Sequence, residues 1–408
     1  MIKIKSNVIY KNFIFKKYFN SRYQNSLKSK YSSILDKIIF NLDNSDNTLH
    51  SLSKEFRFNF KNHNLKRFRR FKTIVVIGMG GSILGSKSIY FSLQNQIKKN
   101  FIFLDNIDEE KIKKIKKEKK INKILFMVIS KSGNTLETLS NLLALKIIKA
   151  NPKNLIIISE NNNNALSVLS KKMRVNFIEH KKYIPGRYSV LSEVGMVPAY
   201  LMGLNIFRFR KNLPVHMNWK NKNFLKNSSI ILSDLIKSQK LNNIVLLSYD
   251  TKLNSLLYWI QQLIAESLGK NGKGFFPTIS KAPKDHHSLL QLYLDGPKDK
   301  LFYIFSKKEN EGKKLNSKIL DKKFSFLNNK TLRKIKKTQK DALIKILKKN
   351  KIPYREFEIK KDLNEETLGE LFSYFMLETA LVGKMAKINP FNQPAVEKIK
   401  IITKNLLN

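Results

Sequence analysis

Short apolar runs rich in β-branched residues alternate with stretches of helical spacing at residues 73–77, 101–104, 124–129, 155–158 and 175–178. Their length is that of a strand, and the lack of apolar/polar alternation means that both faces are to be covered. Strands of this kind, separated by helices, predict a doubly wound parallel α/β sheet. Two of the runs end in a telling way. The first breaks into Gly78-Met79-Gly80-Gly81-Ser82-Ile83-Leu84-Gly85, and the third into Ser130-Lys131-Ser132-Gly133-Asn134-Thr135. Each leads into a helical pattern, so free backbone N–H groups and hydroxyls gather where a helix begins. Two such ends at one edge of a parallel sheet make an anion site, and a phosphate ester is the expected ligand.

The glycine loop departs from both common nucleotide loops. A dinucleotide fingerprint needs Gly where Ile83 stands, and a Walker loop needs Lys where Ser86 stands. Asp105, at the end of the second run, is the one feature that favours a dinucleotide. The hydroxyls of Ser130, Ser132 and Thr135, with Lys131, are enough to surround one phosphate monoester.

A second set of runs at 244–247, 301–305 and 354–359 predicts a second α/β unit, with an amphipathic helix over 256–268 and a lysine-heavy helical stretch near 308–350. The expected organisation is a helical N-terminal segment over 1–65, one α/β domain over 66–206, another over 207–386, and a C-terminal helix over 387–408. A strongly apolar helix over 365–386 closes the second domain, and Pro394 suits the first turn of the last helix.

The chain has 408 residues and is 42% hydrophobic, ample for one large core or two ordinary ones. Its formal charge is +47, yet the excess is mostly lysine and is spread along the whole chain. Nucleic-acid binders concentrate arginine and aromatic residues on one face; a solvated, lysine-biased surface is expected here, with no nucleic-acid partner. With no cysteine there are no disulfides, thiolate metal sites or thiol nucleophiles. No apolar run is long enough for a membrane span or a secretory leader, so a cytoplasmic location is expected.

Helical geometry stacks Gln262 and Glu266 at i, i+4 beside Trp259, at the border of the stripe formed by Leu256, Ile260, Leu263 and Ile264. A carboxylate there is a candidate general base. Arg187 follows Gly186 in a turn, where its guanidinium can reach an oxyanion. His286 and His287 are adjacent and form a poor metal pair. Neither metal nor cofactor is expected.

Taken in order, the segments at 78–85, 130–138, 186–192, 262–267, 287–296 and 389–400 resemble the phosphoglucose isomerase family. The resemblance implies two sugar-isomerase (SIS) domains and reversible aldose–ketose isomerisation of glucose 6-phosphate and fructose 6-phosphate through a cis-enediolate. It implies that Gly81, Ser82, Ser130, Lys131, Ser132 and Thr135 surround the sugar phosphate, and that Glu266 shuttles a proton between C2 and C1. Arg187 would stabilise the enediolate. His287, with Lys400, would open the sugar ring, and Gly186, Gln262 and Gln393 would contact the sugar or order Glu266. It also implies a homodimer in which the histidine comes from the partner subunit. Pro185 and Asn392 depart from the family's usual glycine and aspartate. Related activities on mannose phosphate or amino-sugar phosphates, and a non-catalytic phosphosugar-binding protein, are the alternatives.

Overall fold

The computed structural model describes residues 5–118, 121–148, 150, 152–217, 222–308 and 312–407. Ten strands appear among them: β1 Val8–Phe13, β2 Thr73–Ile77, β3 Asn100–Leu104, β4 Ile124–Ile129, β5 Leu155–Ser159, β6 Asn176–Glu179, β7 Asn243–Ser248, β8 Phe276–Lys281, β9 Lys300–Lys307 and β10 Tyr354–Ile359. They form two five-stranded sheets, ordered β3-β2-β4-β5-β6 and β1-β10-β9-β7-β8. Every residue of β2 and β4 is buried, as two-sided covering requires.

Strand order places the crevices. The chain leaves β2 for β3 on one side and then returns across β2 to β4, all in parallel pairing with Ile77 opposite Val128. Connections that diverge from two neighbouring parallel strands leave an opening beyond their carboxyl ends. The glycine loop follows β2 and the hydroxyl loop follows β4, so both face that opening. The second sheet repeats the arrangement, since β8 and β9 lie on opposite sides of β7.

Two features depart from the sequence expectation. Residues 8–13, read as part of a helical segment, are a strand that pairs antiparallel with β10. This edge is fixed by distant groups. The Asn7 amide and the Tyr10 hydroxyl both donate to Glu370, at 2.8 and 3.1 Å. Such a tertiary partner overrides local spacing, and it makes the second sheet mixed rather than wholly parallel. The other feature is β8, interrupted by Pro277. A proline lacks the ladder donor, but β8 pairs with β7 alone, at the edge where that loss is tolerated.

The Glu365–Met385 helix is buried along almost its whole length. Its Leu371 and Phe375 share one core cluster with Ile74 and Val76 of the first sheet and Leu246 and Tyr303 of the second. Each such side chain contributes on the order of 1.5–3 kcal/mol of burial. The Asn254–Leu268 helix shares this core through Leu256, Ile260 and Leu263, which are fully buried.

Candidate active site

Two glycines set the geometry of the first crevice. Gly80 has φ +51°, and a Cβ there would lie 2.7 Å from the Gln262 amide nitrogen. A Cβ on Gly81 would overlap the peptide joining Gly186 to Arg187. The loop after β2 therefore admits, side by side, the Asn254–Leu268 helix and the turn over Gly186–Leu191. Ser82 is buried beside them.

In the loop after β4 the hydroxyls face one another. Ser130 Oγ lies 2.8 Å from Thr135 Oγ1, and Ser132 Oγ lies 3.5 Å from the same atom. The Gly133 amide donates to Ser130 Oγ at 3.2 Å. Gly133 has φ +65°, and its missing side chain makes room for Asn164. Lys131 donates to the Lys182 carbonyl at 2.7 Å and lies 3.6 Å from Glu160. Burial pushes its pKa down, and the Glu160 carboxylate works against that.

Arg187 is the centre of the third element. It is 2% exposed, and its donors are all engaged. Nε donates to Ser267 Oγ at 2.7 Å, and Nη2 donates to the carbonyls of Pro390 and Asn392 at 2.8 and 3.0 Å. Nη1 donates to Glu266 Oε2 at 3.2 Å and to Gln393 Oε1 at 3.1 Å. The other carboxylate oxygen, Glu266 Oε1, accepts from Gln262 Nε2 at 2.8 Å. The stacking expected at i, i+4 is thus a hydrogen bond. Glu266 keeps 32% of its side chain exposed, so a ligand can reach it. A fixed cation beside a held, accessible carboxylate is what proton abstraction next to a carbonyl requires.

The family model described as phosphoglucose isomerase matches residues 36–408. This chain belongs to the phosphoglucose isomerase family. It is similar to a glucose-6-phosphate isomerase of Methanocaldococcus jannaschii, 32% identical over 363 residues that cover 86% of this chain and 89% of that protein. A glucose-6-phosphate isomerase of Mycoplasmopsis pulmonis is 32% identical over 348 residues, 81% of each chain. Among solved structures, a glucose-6-phosphate isomerase of Chlamydia trachomatis shares the fold with a TM-score of 0.80 at 17% identity, over 99% of this chain and 89% of that one.

Of the residues singled out in the sequence, the structure gathers Glu266, Arg187, Gln262, Gln393, Gly81 and Gly186 into one cluster. Ser130, Ser132 and Thr135 form their own group at the neighbouring loop. Two residues stand apart. His287 is exposed, in the turn Lys284–His287 that follows β8. Lys400 pairs with Glu397 at 2.7 Å on the Val396–Leu407 helix, which buries none of its residues, so it does not join Glu266. Its Ile399, Ile402 and Leu406 all remain exposed.

One residue of the cluster was passed over in the sequence. Lys270 donates to the carbonyls of Glu266, Ser267 and Asn389 at 2.9, 2.8 and 2.8 Å. It ties the end of the catalytic-candidate helix to the segment that embraces Arg187. Burial and the nearby guanidinium bring its pKa down to about 8. The available signal was its place one residue beyond Leu268-Gly269, where a cation meets unpaired helix-end carbonyls. Among the described residues, no group of three His, Asp or Glu side chains is placed to hold a metal ion, and no helix is long and apolar enough to cross a membrane.

Proposed function

We propose that Glu266 is the base by which this chain, an aldose–ketose isomerase, interconverts glucose 6-phosphate and fructose 6-phosphate. The observation that carries the assignment is the Gln262–Glu266–Arg187 chain of hydrogen bonds at the mouth of the first crevice. The phosphate sits against the Gly81–Ser82 turn and the hydroxyls of Ser130, Ser132 and Thr135. Its binding energy then holds the reactive carbons over the carboxylate. Glu266 takes the proton from C2 of the aldose and returns it to C1, the hydroxyl proton passes from O2 to O1, and the negative charge on the enediolate oxygens is met meanwhile by Arg187. For this the oxygen takes over the Nη1 contact now made by Gln393 or Glu266. The carboxylate ends the cycle ionised, as it began.

Ring opening needs a second acid–base group, and in this reading His287 supplies it, with Lys400 brought in when the exposed Val396–Leu407 helix closes over the site in the assembled dimer. The exposed position of His287 supports delivery to the site of a partner subunit, so the active species is a homodimer. We place the enzyme in the cytoplasm, on its substrate class.

The decisive experiment incubates fructose 6-phosphate with the protein in deuterated water and follows glucose 6-phosphate and its C2 label by NMR. Label and product are expected from the parent chain, with a loss of about 10²–10⁴-fold in Glu266→Gln and phosphosugar binding retained. Turnover at the parent rate in that variant would sink the base assignment. Mixing Glu266→Gln with His287→Ala chains tests delivery in trans, because each hybrid dimer then holds one intact site. Activity should return on subunit exchange, and its absence would refute the trans arrangement.

A further inference from the structure

Two adjacent histidines end the turn that follows β8, and the structure gives them opposite surroundings. The turn Lys284–His287 is of 3₁₀ type, and at three residues per turn neighbouring side chains point about 120° apart. The two imidazoles therefore face different ways. His287 is exposed, whereas His286 is half-buried and its Nε2 lies 2.8 Å from the Tyr249 hydroxyl. The rings meet edge to face, with centroids 5.6 Å apart and planes at 77°.

Tyr249, at the end of β7, is a fixed post. It is buried, its amide donates to the Phe305 carbonyl of β9 at 2.9 Å, and it belongs to a core cluster with Val245, Phe302 and Leu343. Burial and the Asp341 charge push the phenol pKa up, so the hydroxyl keeps its proton and donates. Burial, with His287 alongside, pushes the His286 pKa down, which leaves Nε2 without a proton and able to accept. On its other side the turn is held by Asp285, whose Oδ2 accepts from the Lys281 amide at 2.7 Å and from Ser280 Oγ at 3.0 Å. Both of those donors lie on the edge strand β8. The Tyr249 hydroxyl adds a tie from β7, nearer the centre of the sheet.

We propose, resting on the ring-opening role given to His287 above, that Tyr249 and His286 are positioning residues: their hydrogen bond fixes the direction in which the turn presents His287 to the site of a partner subunit. Ring opening takes the proton from O1 and gives one to the ring oxygen, as the C1–O5 bond breaks and C1 becomes a carbonyl carbon. An imidazole carried on an exposed turn does this from one direction only, and a misplacement of about 1 Å is enough to cost roughly 10²-fold. His286 does not act in place of its neighbour, because its Nε2 is engaged within its own subunit.

The test follows exchange between the two anomers of glucose 6-phosphate by NMR with the full chain, which reads ring opening without requiring the C2 proton to move. Tyr249→Phe removes one hydroxyl, and His286→Leu removes the acceptor. Each should slow exchange at least about tenfold, with phosphosugar affinity retained and the thermal midpoint recording that the chain is folded. His286→Gln, whose amide oxygen can accept from the same hydroxyl, should recover most of the rate, which a loss of packing alone would not allow. If His287→Ala exchanges at the parent rate, the ring-opening role of His287 falls and the positioning role with it. If His287→Ala is slow while Tyr249→Phe keeps the parent rate, the role of His287 stands and the positioning is overturned. Exchange as slow in His286→Gln as in His286→Leu overturns it as well.

Discussion

Two arginines in this molecule are almost wholly buried, and each faces a glutamate. Arg355 and Glu378 meet fork to fork, with Nη1 on Oε2 at 3.2 Å and Nη2 on Oε1 at 2.7 Å. Nε is taken by Asn12 of β1 at 2.9 Å, and Glu378 is 3% exposed. Arg187 gives Glu266 a single contact and spends its remaining donors on Ser267, Gln393 and backbone carbonyls. The first pair consumes its carboxylate and locks the antiparallel edge strand to the central helix. The second fixes the arginine first, by neutral acceptors, and leaves the carboxylate oriented yet open. Residue identity is the same in both; the two pairs differ in which partner is left with unspent capacity.

That contrast can be broken at either arginine. Arg355→Ala strands a buried carboxylate, so stability should fall by about 3–5 kcal/mol, read by denaturant unfolding, with turnover per folded molecule retained. Arg187→Ala should lower kcat by about 10²–10³-fold, and more than it changes KM. If steady-state kinetics show only a KM defect, the enediolate role is wrong. Gly81→Ala sharpens the point without touching a polar group. Its Cβ would displace the Gly186–Arg187 peptide, and a shift of about 1 Å at the guanidinium should cost roughly 10²-fold in kcat. A normal rate in that variant would show that Arg187 tolerates imprecise placement.

The pH axis separates the regions further. His180, just after β6, is 1% exposed, and burial brings its pKa down to about 4, while the Lys181 carbonyl 2.9 Å from Nδ1 works the other way. A histidine whose folded pKa lies below its ordinary 6.5 is neutral in the native state, and the unfolded chain binds the extra proton. Its contribution is therefore intact above pH 6.5 and is lost as pH falls toward 4. Between pH 7 and 5 the loss should be about 2 kcal/mol, absent in His180→Phe when the two proteins are unfolded in urea at each pH. The smallest effect is expected at Lys270. Lys270→Met removes three carbonyl contacts but no group of the chemistry, so kcat should fall by roughly tenfold or less. A loss as deep as that of Arg187→Ala would mean that Lys270 touches the substrate itself.

The first sheet was legible because its strands are unbroken apolar runs, a pattern that survives in any tertiary setting. The strands that escaped, β1 and β8, lie at sheet edges, where only one neighbour constrains them and where a polar or proline-containing stretch is permitted. The candidate site divides in the same way. Glycine and hydroxyl loops announce themselves locally, and Gln262 and Glu266 are joined by helical pitch. The engagement of Arg187 by Ser267, Pro390, Asn392 and Gln393 spans up to 206 residues of chain and has no local signature. Lys270 was hidden by the abundance of lysine around it.

Sequence alone determined the alternation of buried strands and helices, the glycines at which backbone must approach backbone, and the i, i+4 pairing of Gln262 with Glu266. These follow from short-range geometry and from the hydrophobic pattern, which are carried by neighbouring residues. Tertiary structure decided which buried arginine leaves its glutamate open to a ligand, and which edge β1 closes. Those outcomes depend on burial and on hydrogen-bond partners far apart in the chain, and a side chain acquires them only when the core has brought its partners together.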